Sequence, residues 1–217
     1  MQPDFWHQRW ADNQIGFHQS APTTLLLKHW PTLDVPAGAT VFVPLCGKSL
    51  DMAWLASQGH HVLGVELSQR AVEQFFAEHG LTPEIRESQY GTHYVAGGIE
   101  IIRGDAFGLD ERVLSECAAI FDRAAMIALP PPLRARYAGE LYARLPTGCS
   151  GLLITLEYSQ AERDGPPFSV SEDEVRERLA STWQVDLLER RPISDGHPGF
   201  VSGVSTLDTS VYRLQRR

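Results

Sequence analysis

Across 217 residues there are only three cysteines, Cys46, Cys117 and Cys149, and no two form a C-x-x-C pair. An odd, scattered set argues against a disulfide framework and a structural zinc site, and fits a reducing compartment. Long apolar runs are also missing. None approaches the ~18 to 20 residues that a membrane-spanning helix needs, and no basic segment followed by an apolar one opens the chain, so a leader peptide is not expected. Basic clusters are scarce: nothing exceeds Arg190-Arg191 or Arg216-Arg217, against a formal net charge of −8. A phosphate-backbone partner relies on clustered Lys and Arg, so nucleic-acid binding is not expected. Internal repeats and low-complexity tracts are absent. What remains is an ordinary globular composition, 43% hydrophobic and 21% charged, sufficient for one sizeable core.

The organising stretch is Val41-Phe42-Val43-Pro44-Leu45-Cys46-Gly47-Lys48-Ser49. A β-branched apolar run stops at proline, passes one glycine and reaches a residue able to cap a helix. In open α/β sheets, ligands bind beyond strand ends of this kind. Leu50, Ala53, Trp54 and Ser57 then fall on one helical face, with Gly59 as a left-handed stop. Val62 to Leu67 reads as a second strand carrying the acid Glu66 near its end. Ser68 caps a further helix bearing Val72, Phe75 and Phe76, which Gly80 ends. Strand, loop, helix, strand, acid, helix describes a βαβ unit with a right-handed crossover.

Further strands are expected at Glu100–Arg103, Ala118–Phe121 and Gly151–Leu156, with Thr82 to Gly98 a small insertion or hairpin. Pro130-Pro131-Pro132 opens a helix. Ser171-Glu172-Asp173-Glu174 forms a capping box for another, reaching about Thr182. Trp183–Leu188 and Val211–Leu214 are the last strands, flanking a glycine- and serine-rich loop, Ser194 to Ser205. The expected fold is α/β and Rossmann-like: about seven strands, mostly parallel, closed by an antiparallel C-terminal hairpin. One domain over 1–217 divides into an N-terminal helical cover, 1–34, and an α/β core, 35–217. Phe5, Trp6, Arg9 and Trp10 fall at helical spacing within the cover. With Phe17 close behind Trp6 and Trp10, this heavy aromatic load suits either a core cap or a lid.

Three ligands compete for the glycine loop. Gly47-Lys48-Ser49 suggests a phosphate loop, but the glycine required five residues before Gly47 is replaced by Phe42. A dinucleotide needs two further glycines, and Lys48, Ser49 and Leu50 follow Gly47 instead. An acid at the end of strand two, about twenty residues on, accepts both hydrogen bonds of a ribose diol. A cofactor with a ribose and no pyrophosphate fits, and S-adenosylmethionine is the common one. The alternative reading of Glu66 is a carboxylate capping the next helix.

Phe5-Trp6-x-x-Arg9-Trp10, Gly16-Phe17-His18-Gln19, Val43 to Ser49, Gly64-Val65-Glu66-Leu67-Ser68 and Asp122-Arg123-Ala124-Ala125 stand in that order. This set resembles the thiopurine S-methyltransferase family over nearly the whole chain. The resemblance implies a monomeric, cytoplasmic class I methyltransferase that uses S-adenosylmethionine and acts on aromatic and heterocyclic thiols, with selenium and tellurium compounds as further substrates. On that resemblance Glu66 binds the ribose hydroxyls, Leu45 and Gly47 line the methionine end, and Asp105 and Ala106 contact the adenine. Trp10 closes over the cofactor, and Arg123 stands at the reacting end as the catalytic residue. Phe17 would wall the substrate together with Trp10, and His18 would either stand beside it or simply bond the backbone. No metal is implied. Animal members carry a further arginine near the C-terminus. Between Asp195 and Tyr212 this chain has none, so that role is unfilled or falls to another group.

Methyl transfer from a sulfonium is an in-line displacement that annihilates charge, which leaves the protein to align the reactants and exclude water. An aromatic thiol is already substantially ionised near neutral pH, consistent with the lack of a Ser-His-Asp or Cys-His set. Arg123 could hold the thiolate or the cofactor's carboxylate, or form a structural salt bridge with Asp122 or another acid. Cys46 reads as a small packing residue. The alternatives are a non-catalytic adenosylmethionine-binding module and a methyltransferase of another small nucleophile. An amine methyltransferase would need an Asn/Asp-Pro-Pro-aromatic arrangement where Asp122 to Ala125 stands.

Overall fold

The structure, a computed structural model, describes residues 3–194 and 203–217. Nine strands form one sheet: β1 Thr40–Val43, β2 His61–Glu66, β3 Glu84–Ser88, β4 Gly91–Ala96, β5 Ile99–Arg103, β6 Cys117–Arg123, β7 Ser150–Glu157, β8 Trp183–Pro192 and β9 Asp208–Arg216. Their order is β3-β4-β5-β2-β1-β6-β7-β9-β8. The five central strands β5, β2, β1, β6 and β7 run parallel. Strand β9 lies antiparallel between β7 and β8, so the C-terminal hairpin is as expected from the sequence.

The strand count is higher than the expected seven. Thr82 to Gly98, read as an insertion or hairpin, is a two-stranded extension of the sheet, with β3 on the outer edge and β4 antiparallel to β5. Every residue of β3, Glu-Ile-Arg-Glu-Ser, is exposed. It therefore carries no alternating apolar pattern from which a strand could be read.

Seven α-helices flank the sheet among the described residues: α1 Pro3–Ala11, α2 Thr24–His29, α3 Leu50–Ser57, α4 Gln69–Glu78, α5 Glu111–Leu114, α6 Pro131–Arg136 and α7 Glu172–Leu179. Successive strand side chains point to opposite faces, which divides the core in two. Val41, Val43 and Ile101 pack with Leu26, Met52, Leu55 and Phe75 from α2, α3 and α4. Phe42, Leu63, Ile102 and Leu153 pack on the other face with Leu114, Tyr137, Val175 and Leu179, drawn from α5, α7 and the segment after α6.

Local signals placed these helices well. Ser49, Ser68 and Ser171 each cap a helix, accepting from the backbone of Asp51, Ala71 and Glu174. The helix opened by Pro131 continues through one π turn, Tyr137–Leu141. The short α5 had no counterpart in the sequence reading. Most of the Ser194 to Ser205 loop lies outside the described residues. No helix of the described residues is long and apolar enough to cross a membrane.

Candidate functional site

The strand order turns at β1: its neighbours β2 and β6 lead to opposite sides of the sheet. Beyond the carboxyl ends of β1, β2, β5, β6 and β7, a cavity of about 640 Å³ opens under the N-terminal helix. It falls in the range typical of small-molecule and cofactor pockets.

The floor is built from the loop after β1. Leu45 and Gly47 both take left-handed backbone conformations, φ +48° and +53°, so the chain turns sharply twice before Ser49 starts α3. That turn aims the Gly47 amide at Glu66, whose Oε2 accepts it at 2.9 Å, while Oε1 accepts the Ser68 amide at 2.8 Å. Glu66 thus locks the first loop to the start of α4. Burial pushes its carboxyl above the usual range, and the amides of Ser68 and Gly47 pull it back. Cys46 packs over Gly64, where a Cβ would lie 2.8 Å from its sulfur, so the packing role expected of this cysteine matches its place. Burial also holds its thiol well above its ordinary value. Lys48 turns to Glu78, with Nζ 2.6 Å from Oε1, and does not line the cavity.

The roof is aromatic. Trp10 is buried and lies against Gly47, where a Cβ would sit 3.1 Å from the indole Cζ2. Phe17 meets both Trp10 and Trp6 edge-to-face, with centroids 5.7 and 5.9 Å apart. Arg70 of α4 donates to the carbonyl of Ala11 at 3.2 Å, tying the end of α1 to the core.

At the β5 end, Asp105 accepts the Phe107 amide at 3.0 Å and stands exposed at the cavity wall, with Ala106 buried beside it. Arg136 lies over the Phe107 ring, 4.5 Å from its centroid. At the β6 end, Asp122 and Arg123 part company. Asp122 is fully buried and accepts from the hydroxyls of Tyr137 and Tyr142, both at 2.8 Å. Burial raises its pKa against those bonds. Arg123 turns the other way, donating from Nε to Asp51 Oδ2 at 2.6 Å and from Nη2 to Ser49 Oγ at 3.3 Å. The other oxygen of Asp51 accepts the Thr23 amide at 2.8 Å. The salt bridge considered from sequence therefore exists, with Asp51 and not Asp122 as its acid.

Trp10, Phe17, Leu45, Gly47, Glu66, Asp105, Ala106 and Arg123 all line this one cavity. His18 does not: its ring stands among Lys48, Glu78, Arg123 and Asp51, and burial followed by Lys48 lowers its pKa. Trp6, Arg9 and Arg136 line the cavity but were not singled out as site residues. For Trp6 and Arg9 the signal was available, since both belong to the same helical motif as Trp10. Pro166 and Pro167, from the loop after β7, also reach the wall.

A family model described as "Thiopurine S-methyltransferase (TPMT)" matches residues 1–217. The chain belongs to the thiopurine S-methyltransferase family. It is an S-adenosylmethionine-dependent methyltransferase, and S-adenosylmethionine is its cosubstrate. The thiopurine S-methyltransferase of Nitrosomonas eutropha is 60% identical over 217 residues, covering 100% of this chain and 99% of that one. The one from Xanthomonas campestris pv. campestris is 58% identical over the full length of both. Among solved structures, an S-adenosylmethionine-dependent methyltransferase from Anabaena variabilis superposes with TM-score 0.66 at 15% identity, over 99% of this chain and 95% of that one. A Burkholderia thailandensis 1,6-didemethyltoxoflavin-N1-methyltransferase, solved with S-adenosylhomocysteine, gives 0.65 at 14% identity, over 99% and 86%. These two likenesses establish the class I methyltransferase fold that carries the family's motifs here.

Proposed function

We propose that the chain S-methylates aromatic and heterocyclic thiols, thiopurines among them, in the cavity beneath α1. The observation that carries this reading is the convergence of Glu66, Asp105, Arg123, Trp10 and Phe17 on one cavity, up to about half of the chain apart in sequence yet all at strand ends or on the roof. The donor set suits adenosylmethionine: a buried acid at the end of β2 for a ribose diol, an acid at the end of β5 for an adenine amino group, and no phosphate nest. When bound, adenosylmethionine supplies an electrophilic methyl group on a sulfonium.

The chain's own residues then have three tasks. Glu66 and Asp105 fix the nucleoside, with Leu45 and Gly47 bordering its methionine end. Trp10 and Phe17 exclude water and give a flat ring an apolar wall. Arg123, held by Asp51 and Ser49, keeps a fixed fork beside the reacting end, where it stabilises a thiolate. Among the described residues, no serine or cysteine lines the cavity, in keeping with a substrate that arrives ionised. Soft selenium and tellurium anions share this chemistry and belong to the same substrate class.

We read the protein as a cytoplasmic monomer whose N-terminal segment, 1–34, covers the core formed by 35–217. The three cysteines are unpaired and buried, which fits a reducing compartment. Transfer of labelled methyl from adenosylmethionine to thiophenol, a thiopurine and selenite tests the activity. Methylated thiol is the expected product. Binding of adenosylmethionine with no transfer to any of the three would instead indicate a binding module.

A further inference from the structure

One arginine of the cavity has no hydrogen-bond or ion-pair partner among the described residues. Arg123 pairs with Asp51, and Arg136 pairs with Glu140, its Nε 3.0 Å from Oε1. Arg9, on α1, lines the same cavity, and its guanidinium makes no hydrogen bond or ion pair among the described residues. Its one close partner is the ring of Phe5, 5.5 Å away. The Nε atom is shielded from solvent and has no acceptor. A buried donor left unmade is costly, more so when charged.

No acid among the described residues pairs with Arg9. Asp12 takes both of its bonds from Gln8. Glu66 is held at both oxygens by Gly47 and Ser68, and Asp105 by Phe107. The backbone around Arg9 is fixed, with its carbonyl accepting the Gln14 amide at 2.8 Å and the carbonyl of Ala11 bound by Arg70. The guanidinium is thus a donor group short of one anion, carried on an anchored backbone at the roof of a cofactor cavity. Its chain neighbour Trp10 lies directly on Gly47, the part of the floor assigned above to the methionine end.

We propose that Arg9 binds the α-carboxylate of adenosylmethionine. The inference rests on the cofactor placement described under the proposed function. It gives the Arg9 of the Phe5-Trp6-x-x-Arg9-Trp10 motif a role of its own and leaves Arg123, already neutralised by Asp51, to the reacting thiolate. An arginine fork matches a carboxylate in two parallel bonds, which a lysine does not.

Titration calorimetry with two ligands, adenosylmethionine and its decarboxylated analogue, tests this on the full chain. Arg9→Met keeps an apolar stem against Phe5. It is expected to weaken adenosylmethionine about tenfold or more, the scale of one lost charge-assisted bond, and to leave the decarboxylated analogue within about twofold of wild type. Arg9→Lys should recover part of the loss. Equal weakening of both ligands would make Arg9 a structural residue and overturn the proposal, as would no weakening of either. A raised KM for 2-mercaptobenzoate with unchanged adenosylmethionine affinity would assign the anion to the substrate, and also overturns it. Glu66→Gln separates this from the cofactor placement itself, because it should weaken both nucleosides alike. If Glu66→Gln weakens neither, the placement fails and the proposal falls with it.

Discussion

Arg123 Nε donates to Asp51 Oδ2 at 2.6 Å, joining the end of β6 to the first turn of α3 across 72 positions of sequence. Asp51 is almost fully buried and also accepts the Thr23 amide, so the pair fastens the N-terminal segment to the sheet. Removing one partner of a buried pair leaves the other charge uncompensated, at about 3 to 5 kcal/mol. Arg123→Ala should therefore lose both turnover with aryl thiols and stability of that order in urea. Arg123→Lys should keep more of the stability than of the turnover, because a point charge can face Asp51 but cannot present the same fork. Wild-type turnover in a folded Arg123→Lys protein would place Arg123 outside the reaction.

Gly47 provides a second test. Its φ of +53° disfavours any side chain, and a Cβ there would sit 3.1 Å from Trp10. Left-handed backbone costs a non-glycine residue about 1 to 2 kcal/mol. Gly47→Ala should lower stability by that amount and weaken adenosylmethionine binding by displacing the indole. Tryptophan fluorescence during titration with the cofactor would show a smaller change than in wild type. Trp10→Ala should weaken binding as well, without the backbone cost.

His18 gives a pH dependence of defined sign. Its folded pKa lies below the ordinary 6.5 because burial and Lys48 oppose its charge. The unfolded chain therefore binds more protons between the two values, so stability is full above 6.5 and falls as pH drops through that window. Denaturant unfolding between about pH 5 and 8 should show this loss in wild type, and His18→Gln should flatten it. An identical slope in the variant would remove His18 as its source.

Asp122 and its neighbours predict a stability effect without a binding effect. Asp122→Ala would strand the hydroxyls of Tyr137 and Tyr142 in the core, and each unsatisfied buried group costs about 1 to 3 kcal/mol. Chemical denaturation should register the loss. Adenosylmethionine affinity in the folded fraction should remain near wild type, since Asp122 does not line the cavity.

How far the sequence disclosed this molecule depends on range. Ser49, Ser68 and Ser171 cap helices through contacts two or three residues away, so local spacing found them. The parallel core was legible because its strands are buried on both faces and read as continuous apolar runs. The β3 edge strand was not, because all five residues face solvent and include two glutamates and an arginine. At the site, Glu66 was legible from its position at a strand end. Its bonds to the Gly47 and Ser68 amides, and the choice of Asp51 rather than Asp122 by Arg123, are set by how loops distant in sequence meet. The unpaired state of Arg9 is likewise a fact of packing, although the motif holding it was plain.

The role of Glu66 follows from that geometry and is the centre of the account. Its carboxylate must be ionised to accept hydrogen bonds from both hydroxyls of a ribose. With its pKa raised by burial, adenosylmethionine affinity should begin to fall, as pH is lowered, above the range of an ordinary carboxylate. Alanine would also orphan the Gly47 and Ser68 amides, so glutamine, which retains one acceptor oxygen, is the cleaner substitution. Titration calorimetry of adenosylmethionine into Glu66→Gln is the most direct measurement. The account predicts affinity lowered about tenfold or more while the protein remains folded and keeps most of its unfolding free energy. Wild-type affinity in folded Glu66→Gln would contradict it.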